Sequence, residues 1–334
     1  MRKMKMILSL LLLTVLALET SKVHAWGPVT HVYYTRKALE RAKGMPIASL
    51  VEQYYDWFLC GMMFPDVTVI YYYTQWKAYS ATHAWTFQSN EHGSPGLWQD
   101  AVAKNSKKAM AFAIGVGVHL IQDCVTHNYY IPMKIRVSMI QNNIIHPLTE
   151  GFVETKLIDD PEIGYLCKAE SSRAFVLWNK PIDDSEGFRK PDGTYMTIIE
   201  WTNKILGGVD FSKEAGIFDT ILSQGQFYTK GFAIPREAGG WWSFYGTISD
   251  IISFFVKVDD AEPYIQKTIE ITANYFKADI SYGGRPLDFI GEFDPTGYEA
   301  LKSADSYVVT TTIIVTVIAA AVIMVYHHKR RKAS

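Results

Sequence analysis

Cysteine is scarce in this chain, with three residues, Cys60, Cys124 and Cys167, among 334. Three thiols cannot all pair, so a small domain stapled by a dense disulfide framework is excluded; one disulfide or none remains open. An internal repeat and a low-complexity tract are also missing, which removes solenoids and compositionally disordered arrays. Polar–apolar alternation is too sparse to predict a large sheet. Charge of either sign is not in excess, at a formal net −1. What is abundant is apolar and aromatic material, 48% and 14% of the residues, enough for a substantial core.

The two ends are set apart. Residues 1–25 have a basic start (Arg2, Lys3, Lys5), an apolar run from Ile7 to Leu18 and small residues at Val23 and Ala25, the pattern of a cleavable signal peptide that would leave Trp26 as the mature N-terminus. Residues 306–326 contain an uncharged run, Tyr307 to Tyr326, long enough to cross the roughly 30 Å hydrocarbon layer as one transmembrane helix. The tail behind it, residues 327–334, is basic, so the positive-inside tendency predicts a single-pass protein of the cell membrane with residues 26–305 extracytoplasmic. Four basic residues precede Trp26 and four follow Tyr326, with Glu19 the one acid lost. Residues 26–326 therefore hold 25 bases against 33 acids, a net charge near −8. A surface of that sign has no long-range attraction for polyanions, which makes nucleic acid an unlikely but not excluded partner.

Within 26–305 the apolar spacing predicts an all-α domain. Two helices are expected over 30–60, parted by Gly44 and Pro46, with a break at Gly61 to Pro65. An aromatic-rich loop should follow, from Tyr71 to Trp85. The run from Ala101 to about Tyr129 reads as a single buried central helix, in which Gly115 and Gly117 allow another helix to approach closely. Further helices are expected over Val137 to Ile158, Asp250 to Val258 and Pro263 to Ala278, while the rest of 159–305 is the least readable part of the chain.

Six histidines lie between the hydrophobic ends, and His31, His83, His119, His127 and His146 fall at spacings that suit metal ligation; His92 reads as an exposed loop residue. His119, Asp123 and His127 stand at i, i+4 and i+8 on a helix, hence on one face, and His146 and Glu150 repeat the i, i+4 device. A lone histidine on an apolar helix is more simply a hydrogen-bonded core side chain. Two such motifs together, with buried carboxylates to satisfy, favour a metal, and imidazole with carboxylate suits zinc better than calcium or magnesium. Signal-peptide cleavage would add a ligand, because the freed α-amino group of Trp26 can bind metal in its neutral form together with its own carbonyl.

Trp26, His31, Asp66, His83, His119, Asp123, His127, His146 and Glu150, in that order over residues 26–154, make the chain resemble the zinc-dependent phospholipase C family and its relatives, the zinc-dependent single-strand nucleases. The resemblance implies a multi-helix domain holding about three Zn2+ ions. One would be held by Asp66, His83, His119 and Asp123, a second by His127, His146 and Glu150, and a third by Trp26, His31 and Asp123. Asp123 would then bridge two ions. It further implies a metal-bridging hydroxide attacking the phosphorus of a phospholipid or similar phosphodiester, with Asp66 as the catalytic residue that orients or deprotonates the water. Val67 stands where choline-cleaving members carry an aromatic residue, so no choline specificity follows. The membrane would be met through the C-terminal helix. Two other readings are a single-strand nuclease or nucleotidase, suggested by the short Trp26-to-His31 spacing, and a non-catalytic metal-binding surface protein.

Overall fold

In the computed structural model the described residues are 28–68, 94–125, 178–206 and 262–290, with Leu166, Glu170 and Arg173. They form seven α-helices: α1 Pro28–Arg41, α2 Pro46–Gln53, α3 Tyr55–Thr68, α4 Ser94–Ala103, α5 Lys107–Val125, α6 Ile198–Leu206 and α7 Glu262–Lys277. Short 3-10 turns occur at Glu186–Phe188, Ile280–Gly284 and Pro286–Phe289. Among the described residues there is no strand, only the isolated bridges Pro181–Thr197 and Arg189–Tyr195, so the all-α expectation holds for them. The helices expected over 137–158 and 250–258, the aromatic loop and the C-terminal apolar run lie outside the described residues.

Local chemistry sets the helix boundaries. Gly44 adopts φ 76°, a left-handed turn open to glycine, and Pro46 opens α2 with its ring supplying the helical φ. Two expectations fail here. The anticipated break at Gly61 to Pro65 is not a break, because α3 runs through both residues and carries Pro65 inside it. An internal proline forfeits a helix hydrogen bond at a cost of about 3 kcal/mol. Continuous burial from Phe58 to Pro65 outweighs it. Conversely, the single helix expected from Ala101 is interrupted: α4 ends at Ala103, Asn105 turns left-handed at φ 53°, and Ser106 caps α5 by accepting from the Ala109 amide at 3.0 Å. Asp184 reinforces that start, its two carboxylate oxygens accepting from the Lys108 amide at 2.8 Å and from the Ser106 hydroxyl at 2.5 Å. Farther on, α6 begins with a capping box: Thr197 Oγ1 accepts from the Glu200 amide at 3.3 Å, while Glu200 Oε2 accepts from the Thr197 amide at 2.8 Å.

Helix α5 is the axis of the molecule, packed against α1, α2, α3, α4 and α7. Among the described residues it is the helix long and apolar enough to cross a membrane, yet it is buried in the core. Its closest neighbour is α3. A Cβ added to Gly61 would overlap the Phe112 carbonyl, and one added to Gly115 would overlap the Phe58 carbonyl and reach the Met62 amide nitrogen at 2.7 Å. The two backbones thus touch across paired glycines, as the sequence suggests for Gly115. Beside this crossing an aromatic cluster closes the core: Phe64 stacks on Trp178 at 5.1 Å, and Trp201 meets Phe112 and Phe188 edge-on at 5.6 and 5.4 Å. Burying each such ring contributes about 1.5–3 kcal/mol. Trp201 keeps its indole N–H satisfied by donating to Asp100 at 2.7 Å.

The crossing makes a direct test. Gly115→Ala places a methyl group against backbone that cannot yield and should lower unfolding free energy by at least about 1–3 kcal/mol. Gly96→Ala, whose new Cβ would meet only Ile205 Cγ2 at 3.5 Å in α4, should be neutral or stabilising by up to about 1 kcal/mol. Urea unfolding of both variants checks the contrast.

Candidate metal centre

Three of the residues singled out by the sequence meet at the side of α5. His31 projects from the first turns of α1, and His119 and Asp123 stand one turn apart on α5. The lateral packing of α1 on α5 brings the two imidazoles face to face, with ring centroids 4.4 Å apart and planes inclined by 24°. Asp123 meets the Nε2 atoms of both rings and divides its carboxylate between them. His31 Nε2 is 3.4 Å from Oδ1, and His119 Nε2 is 2.9 Å from Oδ2. Both histidines are wholly buried and Asp123 is only 3% exposed, so bulk water solvates the group little.

These approaches have ion-pair length but are not aligned as hydrogen bonds. Neither Asp123 oxygen, nor Nε2 of His31, has a hydrogen-bond partner among the described residues. Burial alone pushes the Asp123 carboxyl up. Attraction to His119, the close His119 and His31 contacts and the charge of His31 together outweigh that, and hold it well below the usual carboxylate range. Nδ1 of His31, by contrast, is well partnered: it lies 2.6 Å from Oε1 of Gln122.

The donor set fits a zinc ion. One ligand atom from each residue lies within 4.8 Å of the others. In a tetrahedral shell with bonds of about 2.0–2.1 Å, two ligand atoms stand roughly 3.3 Å apart, close to the separations between imidazole nitrogen and carboxylate oxygen here. Donors that converge on a common space without hydrogen-bonding one another are what a cation would satisfy, and without one the buried polar atoms are costly.

Of the other residues proposed from sequence, Asp66 belongs to the last turns of α3, while its side chain is not among those described. Trp26, His83, His127, His146 and Glu150 lie outside the described residues. The sequence reading missed Gln122 and Thr35, which surround His31. A signal was available in each case: Thr35 stands one turn after His31, and Gln122 is an amide within an otherwise apolar stretch directly before Asp123. An open cleft at the α2–α3 turn, lined by Tyr55, Trp57, Lys108 and Arg173, is a different place, since Lys108 precedes His119 by about 16 Å of helix. Four of its lining charges are paired with one another, Lys108 with Asp183 and Arg173 with Asp56.

Comparison with known proteins agrees with this geometry. The family model described as zinc dependent phospholipase C matches residues 30–215, more than half of the chain and a span that includes all three residues of the cluster. The chain is also similar to an uncharacterized protein of Saccharomyces cerevisiae, 26% identical over 216 residues, which amounts to 59% of this chain and 25% of that protein. The match thus spans about a quarter of the length of this curated relative. No solved structure matches.

The depressed carboxyl has a measurable consequence in metal-free protein. A group whose folded pKa lies below its unfolded value contributes stability that is full above the unfolded pKa, near 3.9 for Asp, and fades as pH falls through the lower folded value. The difference in unfolding free energy between the wild type and Asp123→Asn should therefore shrink as pH drops below about 4. Urea unfolding after chelation, repeated across acid pH, tests this; a difference independent of pH contradicts the electrostatic account.

Proposed function

The chain belongs to the zinc-dependent phospholipase C family, and from that premise we propose that it is a zinc-dependent phosphodiester hydrolase of phospholipase C type, acting on a phospholipid or similar phosphodiester. The observation that carries the reading is the divided carboxylate: Asp123 turns one oxygen to His31 and the other to His119. A carboxylate so divided would allow Asp123 to be shared between two ions, one held with each histidine.

In the proposed site His119 and Asp123 are joined by Asp66 and His83 around one ion. His31 and Asp123 are joined by the amine and carbonyl of Trp26 around another. His127, His146 and Glu150 hold the third, for about three Zn2+ in all. Zinc in such shells supplies Lewis acidity, lowering the pKa of coordinated water towards neutrality and neutralising the phosphoryl oxygens. The chain's own part is positional. Asp123 holds the two histidines in register, α5 excludes water from their far side, and Asp66 orients the attacking water and takes its proton. The domain is proposed to span residues 26–305 on the extracytoplasmic side of the cell membrane, after removal of residues 1–25, with residues 306–326 as a single transmembrane anchor and 327–334 as its cytoplasmic tail. Tethering in this way would keep the enzyme beside its lipid substrate.

A second reading, single-strand nuclease or nucleotidase, draws on the five-residue interval between Trp26 and His31. The net acidity of residues 26–326 weighs against a polyanionic substrate. A purely metal-binding surface protein would have no use for a bridging carboxylate and a metal-bound terminal amine together.

Turnover of a panel of phospholipids, single-stranded nucleic acid and mononucleotides, with and without a zinc chelator, separates these classes. Phospholipid cleavage abolished by chelation is expected; nucleic-acid turnover alone rejects the lipase reading. Elemental analysis should return about three zinc ions per chain, and zero or one would remove the trinuclear site. Asp123→Asn should cut turnover by more than the roughly 10- to 100-fold typical of losing an outer-shell partner, because it weakens two shells at once.

A further inference from the structure

The hydrogen bonds behind His31 run in a defined direction, away from the cluster and across three helices. Gln122 on α5 presents Oε1 to Nδ1 of His31 at 2.6 Å. Its amide nitrogen donates to Thr35 Oγ1 on α1 at 3.1 Å, and the Thr35 hydroxyl donates to the Met62 sulfur on α3 at 3.1 Å. All four side chains are fully buried.

The polarity of this chain is set at its far end. A thioether has no proton to give, so Met62 can only accept. The single hydroxyl proton of Thr35 is then committed to sulfur, and the oxygen lone pairs of Thr35 are left to accept from the Gln122 amide. With its NH2 group turned to Thr35, Gln122 must turn its carbonyl to His31. Nδ1 consequently carries a proton, donated to Gln122, and Nε2 is the nitrogen left on the side facing Asp123, where a metal would take its lone pair.

We propose that Gln122 is a positioning residue of the metal centre: held by Thr35 and Met62, it fixes His31 in the Nδ1–H tautomer and so keeps Nε2 available to ligate. This inference rests on the zinc-hydrolase reading and adds a role for residues outside the ligand set. The other tautomer would place a proton on Nε2, where it could only point at Asp123. The histidine would then serve as a counter-group to the carboxylate and not as a metal ligand. Metal-binding imidazoles are in general oriented through their second nitrogen, most often by a carboxylate or a backbone carbonyl. Here a neutral amide does it, adding no further charge to a site that already buries Asp123.

The test uses the full chain and two readouts, neither of them activity. Nitrogen NMR of 15N-histidine-labelled, metal-free protein reports the His31 tautomer, and competition against a chelator measures Zn(II) affinity. In wild type Nδ1 of His31 should be protonated, with or without a proton on Nε2. Gln122→Leu, close in size but with no atom that can accept from a ring N–H, should lose that form and bind the most weakly held Zn(II) about 10- to 100-fold less tightly. Gln122→Glu, which still accepts from Nδ1–H, should retain both properties. An unchanged tautomer and unchanged Zn(II) affinity in Gln122→Leu overturn the proposal. Should that variant fail to fold, Thr35→Val decides: it frees the Gln122 amide to rotate and should yield mixed tautomers, and a pure Nδ1–H form counts against the proposal. If the wild type binds no Zn(II), the hydrolase reading fails, while the tautomer measured in the metal-free chain still tells for or against Gln122.

Discussion

Everything described in this molecule depends on how closely α3 can lie against α5. At Gly61 and Gly115 the missing side chains let main chain touch main chain, each glycine facing the carbonyl of a phenylalanine on the other helix. Two helices carrying larger residues at these positions would stand apart by the thickness of a side chain, and two things would move with them. Phe64 and Phe112 would lose their place in the aromatic cluster around Trp178 and Trp201. Met62, directly beside the contact, would draw back from Thr35. The crossing is therefore as much a determinant of the cluster of His31, His119 and Asp123 as of the core, because His31 is held through Gln122 and Thr35 by a sulfur that α3 delivers.

The second constraint is electrostatic. A carboxylate and two imidazoles have been placed in the buried interior of the fold, where an unpaired charge would be expected to neutralise itself or disrupt packing. Asp123 does neither, since its carboxyl is held well below the ordinary range despite burial. The two imidazoles are close enough to compensate the charge but not aligned to consume its lone pairs. Structural ion pairs with exposed partners, such as Lys190 with Glu200 at 3.0 Å, show what this chain does when a charge needs only a partner. At Asp123 the geometry leaves a vertex between donors, and that difference is the physical ground for treating the cluster as a site.

Much of this was legible in the residues. The i, i+4 pair His119 and Asp123 on an apolar helix, the earlier His31, and Gly115 as a point of close approach could all be read from spacing, because helical periodicity alone determines which side chains share a face. Boundaries were harder. The halt at Asn105 and Ser106 was hidden in a run whose apolar pattern continues on both sides, and was betrayed only by a left-handed turn residue followed by an N-cap. Pro65 misled in the opposite direction, since a helix breaker yields when the flanking residues are buried on all sides. Thr197 and Glu200 spelled a capping box that periodicity did not find. Gln122 went unread for a different reason: its role exists only once α1, α3 and α5 are assembled, with residues 27 to 91 positions apart in the chain brought into one hydrogen-bonded line.

Helix α5 also shows why composition alone does not distinguish a core helix from a membrane span. Its length and apolar content satisfy both. The distinction lies in its polar residues. His119, Gln122 and Asp123 fall within one and a half turns, and each finds its partners on other helices of the same domain: His31 and Thr35 on α1, and through Thr35 the sulfur of Met62 on α3. A helix in lipid with these groups would need the same partners brought to it at the depth of the hydrocarbon, which a lone membrane-crossing helix does not have. Residues 307–326 carry no charged side chain and so make no such demand. Helix α5 and residues 307–326 thus differ in what their polar content obliges them to meet, and for α5 that obligation is discharged at the cluster formed by His31, His119 and Asp123.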